Sequence, residues 1–183
     1  MEIRVTPELS RILGYARDES MRTGHYGIGI DHLLLGVLRH GDNDALSSLG
    51  ALGIDAGELR AFIDSQVFRP EGVPYYDKER VLLTRKAHNI LSLAVYEALR
   101  FGQNMAGTAH LMLAISRTQD FSAASWLEER GVTYEALKSY MFSKGMLSAE
   151  DSIMPDAEDI ANALEAEIRA ALATTGITPD YLS

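Results

Sequence analysis

Two histidines at matching positions are the residues of this sequence that come closest to a chemical site. His32 follows Asp31 and His110 follows Ala109, each at the start of an apolar run. A histidine beside a carboxylate could act as a general base, so a small hydrolase that uses His32 or His110 with Asp31 is one hypothesis. Neither pair has a nucleophile or a third orienting group at a recognisable spacing, and we therefore predict no catalytic residue and no enzyme.

The same histidines are the candidates for a metal site. Two imidazoles are too few ligands, and no carboxylate precedes His110 at helical spacing. The chain has no cysteine, which excludes a thiolate metal site and a disulfide framework. We predict no metal and no cofactor, and we expect each histidine to lie in the first turn of a helix and to bond a neighbouring loop.

Both histidines belong to an internal repeat. Residues 6–63 align with residues 84–141 at a constant offset of 78, with 18 identities in 58 positions and no gap. Two unrelated helical segments would need gaps and would not keep their glycines in step, so the alignment indicates a duplication. The identical pairs include Gly24/Gly102, Gly29/Gly107, His32/His110, Glu19/Glu97 and Arg39/Arg117.

Each repeat is predicted to contain four helices and no strand. In the first repeat Thr6 can cap a helix that begins at Pro7 and stops at Gly24. Further helices are predicted from about Asp31 to Arg39, from about Asp44 to Ala51, and after the cap Asp55. In the second repeat the predicted caps are Thr84, Thr108 and Thr133, the predicted start of the third helix is Ser122, and the predicted stops are Gly102 and Gly131.

The pattern predicts an all-α fold in which two tandem four-helix repeats bury their apolar faces against each other about a pseudo-twofold axis. We assign residues 1–144 to this double-repeat domain, with repeats at about 6–63 and 84–141 and a linker at 66–80. Residues 145–183 have no counterpart in the repeat. There Ile160, Leu164, Ile168 and Leu172 recur every four residues and predict an extra amphipathic helix, followed by a loose end at residues 174–176.

The charge distribution bears on the partners. The net charge is -9, and residues 145–183 carry -7 of it. Nucleic acid and anionic membrane surfaces would be repelled by this segment, so neither is predicted as a partner. No signal peptide and no apolar run of membrane-spanning length is present, and we expect a cytoplasmic location. The apolar stripe of the extra helix is expected to pack on its own bundle, on a second copy in a homodimer, or on a partner.

The stretch from Gly29 to Arg39, GIDHLLLGVLR, resembles the signature GTEHLLLGLLRE of the Clp N-terminal repeat. The second copy, GTAHLMLA from Gly107, resembles it less closely, and the likeness covers residues 5–142. This resemblance implies an eight-helix domain at the front of an AAA+ unfoldase, where it docks adaptors and substrates for a protease. The phosphate loop of those ATPases does not occur in these 183 residues, and we expect a free-standing relative.

The resemblance also implies a ligand. In some members the acidic residue of each Thr-Glu-His triplet holds the guanidinium of a phosphorylated arginine. Here those positions are Asp31 and Ala109, and the threonine survives only as Thr108. A bidentate guanidinium contact needs a carboxylate, so we expect the second site to be lost and the first to be weakened. The candidate protein-binding or phospho-arginine-binding residues are Asp31, Thr108, His32 and His110.

The function that follows is that of a protein-interaction module. We expect it to bind Clp ATPase or peptidase subunits, protein substrates or adaptors, and to modulate Clp-dependent proteolysis. The alternative is a peptide-binding or scaffold domain with no connection to Clp. Tyr75 and Tyr76, in the linker, are candidate exposed contacts, although linker tyrosines commonly cover their own bundle.

Overall fold

Helices make up most of the chain, and the all-α prediction is confirmed. The computed structural model describes residues 4–148 and 157–179, with the side chains of residues 157–164 outside that description. The first repeat contains α1 (Pro7–Arg22), α2 (Ile30–His40), α3 (Asp44–Ala51) and α4 (Ala56–Val67). The second contains α5 (Arg85–Arg100), α6 (Thr108–Ser116), α7 (Ala124–Glu129) and α8 (Tyr134–Ser143). A 3-10 helix (Tyr75–Arg80) lies in the linker, and α9 (Ala157–Thr175) follows the repeats.

The predicted threonine caps of the first helix are present in both repeats. Thr6 Oγ1 accepts from the backbone N–H of Leu9 at 3.0 Å, and Thr84 Oγ1 accepts from that of Ala87 at 3.2 Å. Each bond satisfies one of the N–H groups that a helix leaves unpaired at its start. Pro7 occupies the first position of α1, where its missing N–H costs nothing. The two repeats therefore begin with the same local chemistry.

Five two-residue strands occur among the residues that the structure describes, so the prediction of no strand is wrong. They are β1 (Arg4–Val5), β2 (Gly27–Ile28), β3 (Leu82–Leu83), β4 (Met105–Ala106) and β5 (Thr178–Pro179). β1 pairs with β4, β2 pairs with β3, and β5 joins the other edge of β3, all in parallel. A strand of two residues is too short for an alternating pattern, so its own sequence does not predict it.

The strand pairing is reciprocal. A shift of 78 residues turns β1 into β3 and β2 into β4, so the β1–β4 pair and the β2–β3 pair are equivalent. Contacts that exchange in this way are the mark of a twofold relation. The backbone bonds, donor first, run from Arg4 to Asn104, from Leu82 to Tyr26, from Thr6 to Ala106 and from Thr84 to Ile28, with N···O distances of 2.8, 2.8, 2.9 and 3.1 Å. The strand that precedes the first helix of each repeat thus pairs with a strand of the other repeat.

One apolar core spans both repeats and the extra helix. α1 packs on α2 and α5 packs on α6, while α3 lies against α6 and α8 of the opposite repeat. α9 packs on α1 and α5 together, and its residues Ile168 and Leu172 are buried, as the stripe predicted. Ile160 and Leu164 belong to the same predicted stripe, but their side chains lie outside the described residues.

Two predicted helix ends are wrong. The third helix of the second repeat begins at Ala124 rather than at Ser122. The residues before it form a turn, in which the Ala124 N–H donates to the carbonyl of Phe121 and the Ser122 N–H donates to Asp31 of the first repeat. The end of α9 is not loose, since Arg17 Nη1 donates to the carbonyl of Thr175 at 2.8 Å and Ile177 is buried next to β5. In both cases a residue distant in sequence bonds the chain near the helix end.

The backbones of α1 and α2 approach each other closely at Gly36. A Cβ at this position would lie 2.8 Å from the carbonyl oxygen of Ile12 and 3.1 Å from the backbone N of Ala16. Both neighbours are backbone atoms of α1, which cannot move aside as a side chain would. Gly14, also within a helix, has no atom within 4 Å of the corresponding position.

We expect Gly36→Ala to lower the free energy of unfolding by about 1–3 kcal/mol, because the added methyl group forces α2 away from α1. Gly14→Ala is the matched control, and it should raise the stability by about 0.5–1 kcal/mol through helix propensity alone. Urea denaturation of both variants measures the difference. Equal effects of the two substitutions would show that the helices do not approach as closely as described.

Candidate functional site

The two signature histidines cap their own helices. His32 Nδ1 accepts from the backbone N–H of Gly29 at 3.0 Å, and His110 Nδ1 accepts from that of Gly107 at 2.9 Å. Both rings are buried, with 4% and 3% of their surface exposed. Each histidine therefore takes the place that Glu or Gln holds in a capping box.

The second ring nitrogen of each histidine contacts the loop that precedes its helix. His32 Nε2 lies 3.1 Å from Thr23 Oγ1, and His110 Nε2 lies 2.9 Å from Gln103 Oε1. Because a backbone N–H can only donate, Nδ1 must be the bare nitrogen and Nε2 must carry the hydrogen in the neutral ring. Both nitrogens of both rings are thus engaged, which agrees with the expected bond to a neighbouring loop.

Burial holds both rings in the neutral form. It lowers the pKa of His32 to about 4, with smaller contributions from the charges of His25 and Arg22, and it lowers the pKa of His110 to about 4. Protonation would place a second hydrogen on Nδ1 against the N–H of the capped glycine. A buried neutral imidazole with both nitrogens bonded is positioned to hold a loop rather than to meet a substrate.

Two buried glutamates, Glu19 and Glu97, are a further repeated feature. Both carboxylates are fully buried and contact the equivalent arginine at the end of α2 or α6. Arg117 Nε bonds Glu97 directly, whereas Arg39 Nη1 lies 4.0 Å from Glu19. Glu19 forms closer ion pairs with Arg60, whose Nη1 is 2.8 Å away, and with Arg22. In the second repeat the pair attaches α5 to α6, whereas in the first repeat Glu19 attaches α1 mainly to α4 through Arg60. The identities Glu19/Glu97 and Arg39/Arg117 are the sequence signal for these pairs.

Asp31 and Thr108 each bond the opposite repeat. Asp31 Oδ2 accepts from the backbone N–H of Ser122 at 3.0 Å, and Thr108 Oγ1 accepts from that of Ala45 at 3.2 Å. Ser122 and Ala45 lie at the beginning of the third helical segment in their repeats. The cap predicted for Thr108 is wrong, because Gly107 is the N-cap of α6 and the threonine caps a helix of the other repeat instead.

The accessibility of these two residues differs. Thr108 is buried, with 2% of its surface exposed, whereas Asp31 is half-buried. Asp31 Oδ1 has no hydrogen-bond partner among the residues that the structure describes, although the atom is shielded from solvent. Ala109, at the position equivalent to Asp31, is buried as well. Of the sequence-predicted site residues, only Asp31 keeps an unused polar atom.

An exposed aromatic surface lies at the linker. Tyr75 and Tyr76 are 77% and 86% exposed, so they do not cover the bundle. Tyr26 and Tyr76 line a groove of about 840 Å³ together with the chain from Arg69 to Pro74. Tyr26 Oη donates to Asp77 Oδ2 at 2.6 Å, which fixes the ring against the linker and raises the pKa of the phenol. We call Tyr26, Tyr75 and Tyr76 the linker patch.

Neither a metal cluster nor a membrane span is found in the described part of the chain. Within residues 4–148 and 157–179, no three His, Asp or Glu side chains lie close enough to share a metal ion. None of the helices in these ranges has an apolar stretch of membrane-spanning length.

The comparisons with known proteins agree on one domain. A family described as the Clp repeat (R) N-terminal domain matches residues 4–130. The chain is 30% identical over 130 residues to the negative regulator of genetic competence ClpC/MecB of Bacillus subtilis, covering 71% of this chain and 16% of that protein. It is 28% identical over 130 residues to the chaperone protein ClpB of Oceanobacillus iheyensis, with the same coverage. The match thus spans only 16% of the length of each relative.

We expect the buried histidines to make the protein sensitive to acid. The folded rings bind a proton only near pH 4, whereas the unfolded chain binds one near pH 6.5. Between these values the unfolded state holds more protons, so the free energy of unfolding falls as the pH is lowered, by up to about 3 kcal/mol for each histidine. Urea denaturation at several pH values across this window measures the slope. The His110→Gln variant should have a shallower slope than the wild type, and equal slopes would contradict the assignment.

We expect Arg117→Ala to lower the free energy of unfolding by about 3–5 kcal/mol, because it leaves the fully buried Glu97 carboxylate without its counter-charge. The control is Glu165→Ala, which removes an exposed ion pair with Arg169 (Nη2 to Oε1 2.8 Å). That change should stay below about 1 kcal/mol. Thermal or urea unfolding measures the loss of stability in each variant. A comparable loss in both would show that the burial of Glu97 does not make its ion pair more stabilising than an exposed one.

Proposed function

Because this chain belongs to the Clp repeat N-terminal domain family, we propose that it is a protein-interaction module. It binds protein substrates, adaptors or Clp subunits and modulates Clp-dependent proteolysis. Residues 1–144 form the interaction domain in this proposal, and residues 145–183 form a C-terminal addition. The observation that carries the proposal is the family match over residues 4–130, since the relatives named above carry the same domain. A cytoplasmic site of action is part of the same proposal.

The use of the signature residues supports binding through other side chains. His32, His110 and Thr108 are buried and bonded within the fold, and Glu19 and Glu97 hold helices together. A partner therefore has little access to the signature itself. The linker patch offers what the signature does not, because exposed tyrosines combine a large apolar ring with a polar tip and are enriched at protein interfaces.

The burial of both imidazoles also supports a role without catalysis. A general base must reach the proton that it abstracts. His32 and His110 have almost no exposed surface, and each Nδ1 already accepts a backbone N–H. The hydrolase hypothesis would require these rings to leave the helix caps that they form. We therefore propose that the protein is not an enzyme.

We expect Tyr75→Ala/Tyr76→Ala to reduce the capture of partner proteins at least about tenfold, because tyrosines at an interface centre carry much of the binding energy. The measurement is a pull-down from the extract of the source organism, with quantification of Clp ATPase and peptidase subunits. Tyr96→Ala is the matched control, since Tyr96 is exposed on α5, outside the linker patch.

The identity of the captured proteins separates the two interaction hypotheses. Recovery of Clp components that depends on the linker patch supports the proposal. Recovery of other proteins alone would favour the peptide-binding scaffold without a connection to Clp. Equal recovery by the double variant and the wild type would show that partners do not bind at the linker patch.

A second candidate function is recognition of a guanidinium group at Asp31. The observation that favours it is that Asp31 is only half-buried and that its Oδ1 has no partner among the described residues while Oδ2 holds the Ser122 N–H. An arginine or phospho-arginine side chain could supply the missing donor. The repeat-related position, Ala109, has no carboxylate, so this proposal concerns one site rather than two.

We expect phospho-arginine to bind the wild-type chain at one site and to bind Asp31→Asn at least about tenfold more weakly. Asparagine keeps the acceptor for the Ser122 N–H and removes only the charge, so the fold is retained. Calorimetric titration gives both the affinity and the number of sites. Unchanged affinity in the variant, or two equivalent sites, would contradict the assignment to Asp31.

A further inference from the structure

α9 and β5 occupy a surface that the two repeats build jointly. This surface is formed by aliphatic side chains of β1, α1 and α5, and we call it the helix seat. Its members are Val5, Leu9, Leu13, Leu91 and Val95. Leu13 and Leu91 are equivalent residues of the two repeats, so the seat straddles the pseudo-twofold axis. Ile168 and Ala171 of α9 face these side chains, with a gap of about 10 Å³ between them.

Polar contacts in the middle and at the C-terminal end of α9 hold it in register on the helix seat. Glu167 Oε1 accepts from the backbone N–H of Val5 at 2.8 Å, and Arg17 Nη1 donates to the carbonyl of Thr175 at 2.8 Å. After α9 the chain turns at Gly176, and β5 adds to the edge of β3. The segment therefore binds in two ways that are typical of peptide ligands, as an amphipathic helix in a groove and as an added strand.

The segment α9–β5 contacts the two repeats differently, although the repeats are related by a pseudo-twofold axis. β1 is the repeat equivalent of β3, yet only β3 is bordered by β5. At β1 the N–H of Val5 is bonded by a carboxylate of α9 rather than by a strand. One asymmetric helix thus covers a nearly symmetric surface, as a ligand does, and it has no counterpart in the duplication that built the seat.

The charges of the C-terminal segment and of the residues around the helix seat are complementary. Residues 145–183 carry a net charge of -7, and Glu165 and Glu167 lie on the described part of α9. Near the seat α1 contributes the cation Arg17, and Arg85 of α5 and Glu165 of α9 both act on His88, whose own pKa is lowered by burial. The seat is therefore suited to an acidic helix. Few large apolar side chains of the described part of α9–β5 are buried, namely Ile168, Leu172 and Ile177.

We infer that the helix seat is a binding site for an acidic amphipathic helix of a partner protein, and that α9–β5 is its internal, displaceable occupant. An isolated helix of this length is only marginally stable in water, so α9 gains its order from the seat and competes with any segment of the same pattern. The ligand class is an acidic helix with an apolar stripe, followed by a turn and a short extended apolar segment. This inference rests on the proposed interaction function and adds the surface and its control.

The test uses the full chain and a fluorescent peptide with the sequence of residues 157–179. In the Leu172→Asp chain the internal helix is weakened but the seat is intact, so the peptide should bind at least about tenfold more tightly than to the wild-type chain. A peptide that carries the same substitution should not bind. Ala173→Asp, on the exposed face of α9, is the matched control and should behave like the wild type.

A second measurement covers the case in which Leu172→Asp fails to fold. A protease site placed within residues 149–156 allows the wild-type chain to be cut after folding, and the labelled peptide should then exchange with the cut segment. No exchange after cutting, or equal binding to the wild-type and Leu172→Asp chains when both are folded, would overturn the inference. Dimers of the Leu172→Asp chain that form through α9 and exclude the peptide would also overturn it, in favour of a second copy as the occupant.

The outcome is independent of the Clp proposal. No Clp component enters the peptide titration, so a pull-down without Clp subunits would leave the result at the helix seat unchanged. Conversely, a seat that binds no peptide would not affect partner capture at the linker patch.

Discussion

The reciprocal backbone ladder between the repeats is the interaction on which the rest of the structure depends. Each repeat extends its first residues alongside the turn that follows the first helix of the other, and four hydrogen bonds close the exchange. Because the capping threonines Thr6 and Thr84 take part in these bonds, the start of each long helix is positioned by the opposite repeat. The core, the helix seat and the contacts of Asp31 and Thr108 all require this arrangement.

Buried polar groups restrict the joined repeats to one arrangement of their helices. A carboxylate or an imidazole inside an apolar core is costly unless each polar atom has a partner. Glu97 meets Arg117 and Tyr134, and His110 meets a backbone N–H on one side and an amide on the other. In the second repeat the signature is thus a set of mutually satisfied groups that hold α6 at its angle. In the first repeat Glu19 Oε1 has an ion pair with Arg60 but no hydrogen-bond partner among the described residues. Such a set leaves recognition to residues that differ between the repeats.

The sequence predicted most of the fold because the main elements are long and locally encoded. The caps Thr6, Thr84 and Thr133 and the helices that follow them depend on residues within one or two turns. The strands and the start of α7 depend on contacts about 55–100 residues away, and no local pattern contains them. For the same reason Thr108 was assigned to the wrong helix, since its true partner, Ala45, lies in the other repeat. Tyr75 and Tyr76 of the linker patch were predicted as candidate contacts, but their exposure depends on how the 3-10 helix packs, and Tyr26 was not predicted.

The exchange of leading segments has an implication for the origin of the domain. One repeat carries both the segment that is inserted and the turn that receives it, so two identical copies could satisfy each other as a homodimer about a true axis. Joining the copies through residues 66–80 makes their association intramolecular and independent of protein concentration. Fusion also allows the two repeats to diverge in sequence, because a substitution in one repeat no longer occurs in the other, as it would in a homodimer. The aspartate of one half and the alanine of the other, at positions 31 and 109, are an example of that freedom.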